Sequence, residues 1–215
     1  MLKTLLFREI RYNDNIESEL SKNEKELESS YDDVELLQNT AAIYHALRRN
    51  VEAIEIYKKI VNLRPNDHEM MAFLGYLYYE NDELEEAEKH LNESLNLNPM
   101  EPFVLFLLGN IYSRKGDVMK AIDNYEFAIF LDFDIYTAHI DFARKYEHMG
   151  RHKRALEEYK AAYDIDSRDE ALIDKMRYLK EKLECKSTDQ CKCEWNRLVT
   201  FIFLLYFWYN RGYKW

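Results

Sequence analysis

The sequence predicts an all-α fold, in which antiparallel helix pairs stack into a solenoid. Two observations indicate this fold. The 215 residues include only 5 glycines and 3 prolines, and apolar side chains recur at spacings of three and four. The same pattern also returns every 34 residues, with tyrosine at Tyr44, Tyr78, Tyr112 and Tyr146. A period of this length is typical of helical repeat proteins, whose units pack only on their neighbours.

Four registers of 34 residues follow one another without a gap through the middle of the chain. They span residues 34–67, 68–101, 102–135 and 136–169. Each register is predicted to hold two helices, whose close approach requires a small side chain at a fixed position of the second helix. Alanine occupies that position in every register, at Ala53, Ala87, Ala121 and Ala155.

Residues with strong backbone preferences mark the predicted helix ends. Pro65 and Pro99 end second helices, and Pro102 suits the first position of the next helix. The turn inside each register favours glycine, which occurs in the third and fourth registers only. The four turn positions are occupied by Arg48, Asp82, Gly116 and Gly150.

Segments on both sides of the registers complete the predicted architecture. Residues 1–33 form an acidic segment with one helix, which either leans on the first register as a solvated helix or is a degenerate half-unit. Its thin apolar stripe consists of Ile16, Leu20, Leu27 and Tyr31. Residues 170–184 are predicted to form the capping helix that the end of a solenoid requires.

The third register shows the pattern most clearly. Its apolar, small, aromatic and turn positions are occupied, in order, by Leu108, Gly109, Tyr112, Gly116, Ala121, Tyr125 and Ala128. This pattern resembles the tetratricopeptide repeat family over residues 34–169. The resemblance implies a right-handed superhelical array of helix pairs that serves as a non-catalytic scaffold for protein partners.

The resemblance also implies which side chains line the concave groove, at positions two, five, nine and twelve of the first helices. The candidate groove residues are Gln38, His45, Tyr76, Tyr79, Phe103, Phe106, Asn110 and Arg144. Their aromatic centre favours an apolar or aromatic peptide segment, whose backbone Asn110 can hydrogen-bond. The competing interpretation is that some of these aromatics pack against neighbouring first helices. A clamp for a C-terminal carboxylate is not expected, because Gln38 and Phe103 stand where such clamps need cations.

Composition argues against several other functions. The formal charge is −10, and the cations are scattered among acids, so nucleic acid is not an expected partner. The six histidines follow no metal-binding spacing, and we interpret them as surface or packing residues. The sequence has no glycine-rich phosphate loop and no set of nucleophile, base and orienting residue. We therefore expect no enzyme activity, no cofactor and no metal.

The last part of the chain, residues 185–215, differs in character. Cys185, Cys191 and Cys193 are the only cysteines, so no disulfide framework holds the core, which favours a reducing compartment such as the cytoplasm. An uncharged apolar and aromatic run follows at residues 198–209. As a helix it would span roughly 18 Å, short of the roughly 30 Å of a bilayer core.

Three interpretations of this run compete. It contacts a membrane through residues 195–215, whose tryptophans, tyrosines and arginines suit an interface. Alternatively, it folds back into an aromatic groove of its own chain or of a neighbour, which gives self-association. Or it is a coding accident of an AT-rich gene, because nothing upstream prepares for the change in composition.

Two further functions are alternatives to a peptide-binding scaffold. Residues 146–152, followed by Ala155 and Leu156, resemble the last repeat of the magnetosome-associated tetratricopeptide proteins. That family coats an organelle membrane by self-assembly, which implies a membrane-associated, self-associating protein. The small size, the acidity and the groove also suit a chaperone for apolar secretion substrates.

Overall fold

The computed structural model describes residues 15–187, and this part of the chain consists of helices and short connections. In chain order the helices are α1 (Ile16–Ser29), α2 (Val34–Ala46), α3 (Asn50–Leu63), α4 (His68–Glu80), α5 (Leu84–Leu97), α6 (Pro102–Lys115), α7 (Val118–Phe130), α8 (Ile135–His148), α9 (His152–Ile165) and α10 (Glu170–Ser187). The all-α prediction is confirmed. The interpretations of the run at residues 198–209 fall outside the described residues.

Aspartates fix where two of the first helices begin. The Asp33 carboxylate accepts hydrogen bonds from the backbone N–H groups of Glu35 and Leu36, at 3.0 and 3.1 Å. Asp67 accepts in the same way from Glu69 and Met70 at the start of α4. Each cap satisfies two of the four N–H groups that a helix leaves without an internal partner, and it places negative charge at the positive end of the helix dipole.

The turns between paired helices share one backbone geometry. The residues at the four turn positions have φ values of 62° for Arg48, 64° for Asp82, 80° for Gly116 and 66° for Gly150. In each turn the carbonyl of the repeating tyrosine accepts a hydrogen bond from the residue after the turn position, at 2.8 to 3.0 Å. This is the left-handed helix ending that glycine favours. Arg48 and Asp82 adopt it without being glycine.

Small residues allow the paired helices to approach closely. The alanines at the fixed position of the second helix are buried in α3, α5, α7 and α9. On the first helices, a Cβ atom added at Gly75 would lie 2.8 Å from Leu91 Cγ, and one added at Gly109 would collide with the Tyr125 ring. Such contacts leave no room for a methyl group, so these two glycines are required by packing.

The chain divides into two compact units, Met1–Ile135 and Tyr136–Trp215. In the first unit α2 packs on α3, α4 on α5 and α6 on α7, and successive pairs meet through α3 with α4 and through α5 with α6. In the second unit α10 packs on α9. There the Tyr159 hydroxyl donates a hydrogen bond to Glu147 at 3.0 Å, which links α9 to α8.

Helix α1 packs on α2 in the first unit. Its Leu20 is buried, and the hydroxyl of Tyr44 on α2 donates a hydrogen bond to Glu24. The two ends of the apolar stripe named from the sequence differ, since Leu20 is buried and Tyr31 is at the surface. Tyr31 follows the end of α1 and is 63% exposed, because its ring lies under the Lys59 ammonium at the surface instead of joining the core.

Candidate functional site

Two first helices of the first unit are buried along almost their whole length. In α4 every residue from Met70 to Glu80 is buried, and in α6 every residue from Phe103 to Tyr112. A first helix in a two-layer stack is expected to bury only the faces that touch its neighbours. Here the burial extends to the positions predicted to line the groove. We call the side of α4 and α6 that carries Tyr76, Tyr79, Phe103, Phe106 and Asn110 the concave face, after the groove that the family resemblance predicts there.

One aromatic cluster joins α2, α3 and α4. The Tyr76 side chain is fully buried and meets the ring of His45 edge-on, with the ring centroids 5.8 Å apart. Phe73 also contacts Tyr76 edge-on at 5.8 Å and stacks on Tyr57 of α3 at 4.5 Å. Edge-to-face and offset contacts at these distances are favourable for aromatic pairs. The predicted groove residues His45 and Tyr76 are thus brought together.

A second aromatic cluster joins α6 to α7 and to the connection that follows α7. The ring centroids of Phe103 and Phe106 are 6.0 Å apart, and Phe133 lies 5.9 and 5.5 Å from them. The Tyr125 ring lies 6.3 Å from that of Phe106. Phe103 and Phe106 are 2% and 0% exposed, so this cluster is part of the hydrophobic core of the unit.

Asn110 is the buried polar residue of the concave face. It is 6% exposed, and its Oδ1 accepts a hydrogen bond from the Tyr125 hydroxyl at 2.6 Å. Within residues 15–187 its Nδ2 has no hydrogen-bond partner. A buried donor without an acceptor costs roughly 1–3 kcal/mol. The side chain therefore holds one buried donor, in aromatic surroundings, without an acceptor among the described residues.

The remaining predicted groove residues are placed less centrally. Gln38 on α2 is partly exposed and donates from Nε2 to the Met70 sulfur at 2.8 Å. Tyr79 at the end of α4 is buried, with the Arg114 guanidinium 5.3 Å from its ring centroid. Arg144 is an exposed residue of α8, in the second unit.

The aromatic groove residues are enclosed instead of displayed to solvent. Packing against a neighbouring first helix, the competing interpretation of the sequence, accounts for the contact of His45 with Tyr76. Phe106 instead contacts Tyr125, on the second helix of its own pair. Binding of a peptide by these residues stays a prediction. A ligand that reached them would gain large apolar contact areas and a hydrogen-bond donor.

Four contributors to these clusters were not among the predicted site residues: Tyr57, Phe73, Tyr125 and Phe133. Tyr125 was assigned to the core from its place in the repeat, which gives no indication that its hydroxyl reaches Asn110. Phe133 stands where the first two registers carry proline, Pro65 and Pro99. A large aromatic residue in a connection between helices is a sequence signal for packing, and here it fills the space beside Phe103 and Phe106.

A glutamate of one second helix holds the following first helix in the first unit. Glu88 on α5 accepts hydrogen bonds from the Tyr112 hydroxyl at 2.8 Å and the Lys115 ammonium at 2.7 Å. Burial acts to raise the pKa of Glu88, but the hydrogen bonds from Lys115 and Tyr112 outweigh it and hold the pKa below its usual value. These contacts fix α6 against α5.

Metal centres and membrane-spanning helices are two other kinds of functional element. Within residues 15–187 no three His, Cys, Asp or Glu side chains are grouped so that they could hold a metal ion. Over the same range no helix combines the length and the apolar character that crossing a membrane requires.

Comparison with known proteins identifies the family. Two family models, both described as Tetratricopeptide repeat, match residues 44–111 and 106–170. The chain belongs to the tetratricopeptide repeat family. The predicted family is therefore confirmed, and this fold is typically a non-catalytic scaffold for protein–protein interaction.

Solved tetratricopeptide structures share the fold. A crystal structure of MamA is 26% identical with a TM-score of 0.54, and the match covers 70% of this chain and 88% of that chain. The thermophilic TPR protein TTC0263 of Thermus thermophilus is 21% identical with a TM-score of 0.51, covering 83% of this chain and 98% of that chain.

Two curated relatives are longer proteins. The DnaJ homolog subfamily C member 7 homolog of Schizosaccharomyces pombe is 24% identical over 182 residues, which is 77% of this chain and 38% of that protein. The BBSome complex member BBS4 of Bos taurus is 32% identical over 75 residues, 35% of this chain and 14% of that protein. The tetratricopeptide chain thus spans well under half the length of either relative.

Proposed function

We propose that this tetratricopeptide protein is a non-catalytic scaffold that binds an apolar or aromatic segment of a partner protein at the concave face of α4 and α6. The observation that supports this proposal is the Asn110 amide, which is buried and holds one donor without an acceptor among the described residues. A backbone carbonyl of an extended or helical segment suits this donor.

The aromatic residues around Asn110 define the partner's chemistry. Phe103 and Phe106 on α6 and Tyr76 on α4 are uncharged and enclosed, so a segment would contact their rings only by displacing what covers them. A segment rich in Leu, Ile, Phe or Trp fits them, because it loses little on leaving water and gains aromatic contacts. A charged segment would lose its hydration without finding a counter-charge on these rings.

Binding of labelled apolar peptides to the full chain, measured by fluorescence anisotropy, tests the proposal. Asn110→Leu replaces the donor with an apolar side chain of similar size. The binding free energy of the peptide should therefore weaken by about 1 kcal/mol or more. Asn96→Leu, at an exposed position of α5, is the matched control and should bind as the wild type does. Equal affinity of all three proteins would place the interface elsewhere.

Self-association is a second candidate function, favoured by the surface of α7. Val118, Met119, Ile129 and Phe130 are 63%, 68%, 57% and 78% exposed on this one helix. The helical period places them within one side of α7 together with Ile122, and contiguous apolar surface of this kind marks contact sites. The occupant that we propose is a second copy of the chain.

Sedimentation velocity of the full chain over a range of concentrations tests this second candidate. Met119→Glu combined with Phe130→Glu should abolish any concentration-dependent increase in sedimentation coefficient. Val51→Glu is the matched control, because Val51 is 61% exposed on α3, away from α7. A wild-type protein that stays monomeric at all concentrations would contradict the candidate.

A further inference from the structure

We infer that Met119 makes the self-association of the chain through α7 sensitive to oxidation by hydroperoxides. The exposed apolar residues of this helix, which we call the α7 surface, are Val118, Met119, Ile122, Ile129 and Phe130. Oxidation of the Met119 thioether to the sulfoxide places a polar group in this surface and weakens the contact between two copies. The inference rests on the second candidate function, because it assigns a regulation to the same surface.

Met119 lies on the side of α7 that faces away from the rest of the first unit. The buried residues of this helix are Ala121 and Ala128. At 3.6 residues per turn they are about 160° and 180° from Met119 around the helix axis. Met119 is 68% exposed, and within the α7 surface only Phe130 is more exposed. A second copy that packs on this surface therefore contacts Met119.

The methionines of the described part of the chain differ in their access to solvent. Four of the six methionines within residues 15–187 are buried or half-buried: Met70, Met71, Met149 and Met176. Met119 and Met100 are 68% and 58% exposed. Because a peroxide must reach the sulfur, these two residues are expected to react first. Met100 lies in the connection between α5 and α6, outside the α7 surface, so it serves as an internal reference.

The reaction transfers one oxygen atom and two electrons. A lone pair of the Met119 sulfur attacks one oxygen of the hydroperoxide, and the O–O bond breaks. The other oxygen takes up the proton and leaves as water or an alcohol, so the sulfur is oxidised by two electrons and the peroxide is reduced by two. A sulfoxide reductase reverses the change with a dithiol, which becomes a disulfide while the oxygen leaves as water.

Oxidation changes how this side chain packs between copies. A thioether is apolar and flexible, so it fills irregular gaps in an interface. The sulfoxide oxygen accepts hydrogen bonds from water, and its burial without a donor is unfavourable. The adjacent apolar residues Val118 and Ile122 have no donor in their side chains. A two-fold symmetric dimer contains Met119 twice, so both copies contribute to the loss.

Sedimentation velocity of the full chain before and after treatment with hydrogen peroxide tests the inference. Peptide mass spectrometry locates the sulfoxides. Oxidation of Met119 should raise the dissociation constant of self-association about tenfold or more, and methionine sulfoxide reductase with dithiothreitol should restore it. Oxidised wild type that associates as tightly as the reduced protein would overturn the inference.

Two leucine variants are the matched controls. Met119→Leu keeps an apolar side chain of similar size, so this variant should associate and should keep its dissociation constant after peroxide treatment. Met100→Leu should respond to peroxide as the wild type does. The cysteines are present in both variants, so an effect of their oxidation would appear in both. If Met119→Leu loses association on oxidation as the wild type does, Met119 is not the sensitive residue.

The rate of oxidation at different protein concentrations separates the inference from the second candidate function. When copies associate through α7, Met119 should oxidise more slowly as the protein concentration rises, while the rate at Met100 should stay constant. A monomeric wild type, with the same Met119 rate at every concentration, would contradict both the candidate and the inference. If Met119 is protected but its sulfoxide leaves the dissociation constant unchanged, the candidate stands and the inference is wrong.

Discussion

The Tyr125 hydroxyl on α7 donates a hydrogen bond to Asn110 Oδ1 on α6 over 2.6 Å. The Tyr125 ring reaches α6 because the residue before Asn110 is Gly109, where a Cβ atom would collide with that ring. A repeat position that favours a small residue for packing thus also brings a hydroxyl to a buried amide. This hydrogen bond holds the Asn110 side chain, whose Nδ2 has no hydrogen-bond partner within residues 15–187.

The energy of this contact can be measured by a double-mutant cycle. We expect Tyr125→Phe to destabilise the protein, and a coupling energy of about 1 kcal/mol between it and Asn110→Leu, because each single change leaves one buried partner unsatisfied. Urea unfolding of the full chain, followed by circular dichroism, gives the four free energies. Additive effects would show that the two side chains do not depend on each other.

The close approach at Gly109 leads to a second prediction. Gly109→Ala should destabilise the protein by about 1–3 kcal/mol, because the added methyl group forces the Tyr125 ring out of its place. Replacing Tyr125 with the smaller Leu in the same protein should reduce that penalty. If Gly109→Ala costs as much in the Tyr125→Leu background as in the wild type, the penalty does not come from this contact. Thermal and urea unfolding provide the measurements.

A third prediction concerns the turn residue Arg48. It has φ of 62°, in the left-handed region that costs a residue with a Cβ atom about 1 kcal/mol relative to glycine. Arg48→Gly should therefore stabilise the protein by roughly that amount. Gly116→Ala is the reverse change at the equivalent turn, where the added Cβ meets no atom within 4 Å, and it should destabilise by a similar amount. The unfolding free energies of the two variants should change in opposite directions. If they do not, the left-handed backbone at these turns does not carry the cost that we assign to a Cβ atom.

Much of the fold was predictable from the sequence, because the repeat fixes it through local rules. The 34-residue period and the small residues at fixed positions predicted paired helices without any knowledge of long-range contacts. The left-handed turns at Arg48 and Asp82 also followed from the register, although neither residue is glycine. The repeat spacing and the local backbone preferences determine these features, so a single sequence is sufficient to predict the paired helices and their turns.

The candidate site was only partly predictable. The register gave the positions of Tyr76, Phe106 and Asn110, but the extent to which each side chain is covered depends on contacts between distant parts of the chain. The Tyr125 hydroxyl and the Phe133 ring act through such contacts, and no spacing rule assigns them. Tyr31 is another residue whose burial the sequence pattern does not give. Its spacing fits an apolar helix stripe, but its ring lies at the surface under the Lys59 ammonium.

The alkaline pH dependence of stability provides a fourth prediction. Burial and the hydrogen bond to Glu147 raise the pKa of Tyr159 to about 12, and burial with the hydrogen bond to Glu24 does the same for Tyr44. The pKa of tyrosine in an unfolded chain is about 10. Because the folded state holds the proton more tightly, the contribution of each tyrosine is fully present below pH 10 and is lost as pH rises towards 12.

Phenylalanine at these positions removes that dependence. The difference in unfolding free energy between the wild type and Tyr159→Phe should stay constant from about pH 7 to 9 and then change by about 1–2 kcal/mol between pH 10 and 12, in the direction that favours the variant. Tyr44→Phe should behave alike, because its partner Glu24 plays the same part as Glu147. Urea titrations at a series of pH values measure the differences. If the difference in unfolding free energy between wild type and variant is the same at pH 8 and pH 11.5, the pKa of that tyrosine is the same in the folded and the unfolded protein.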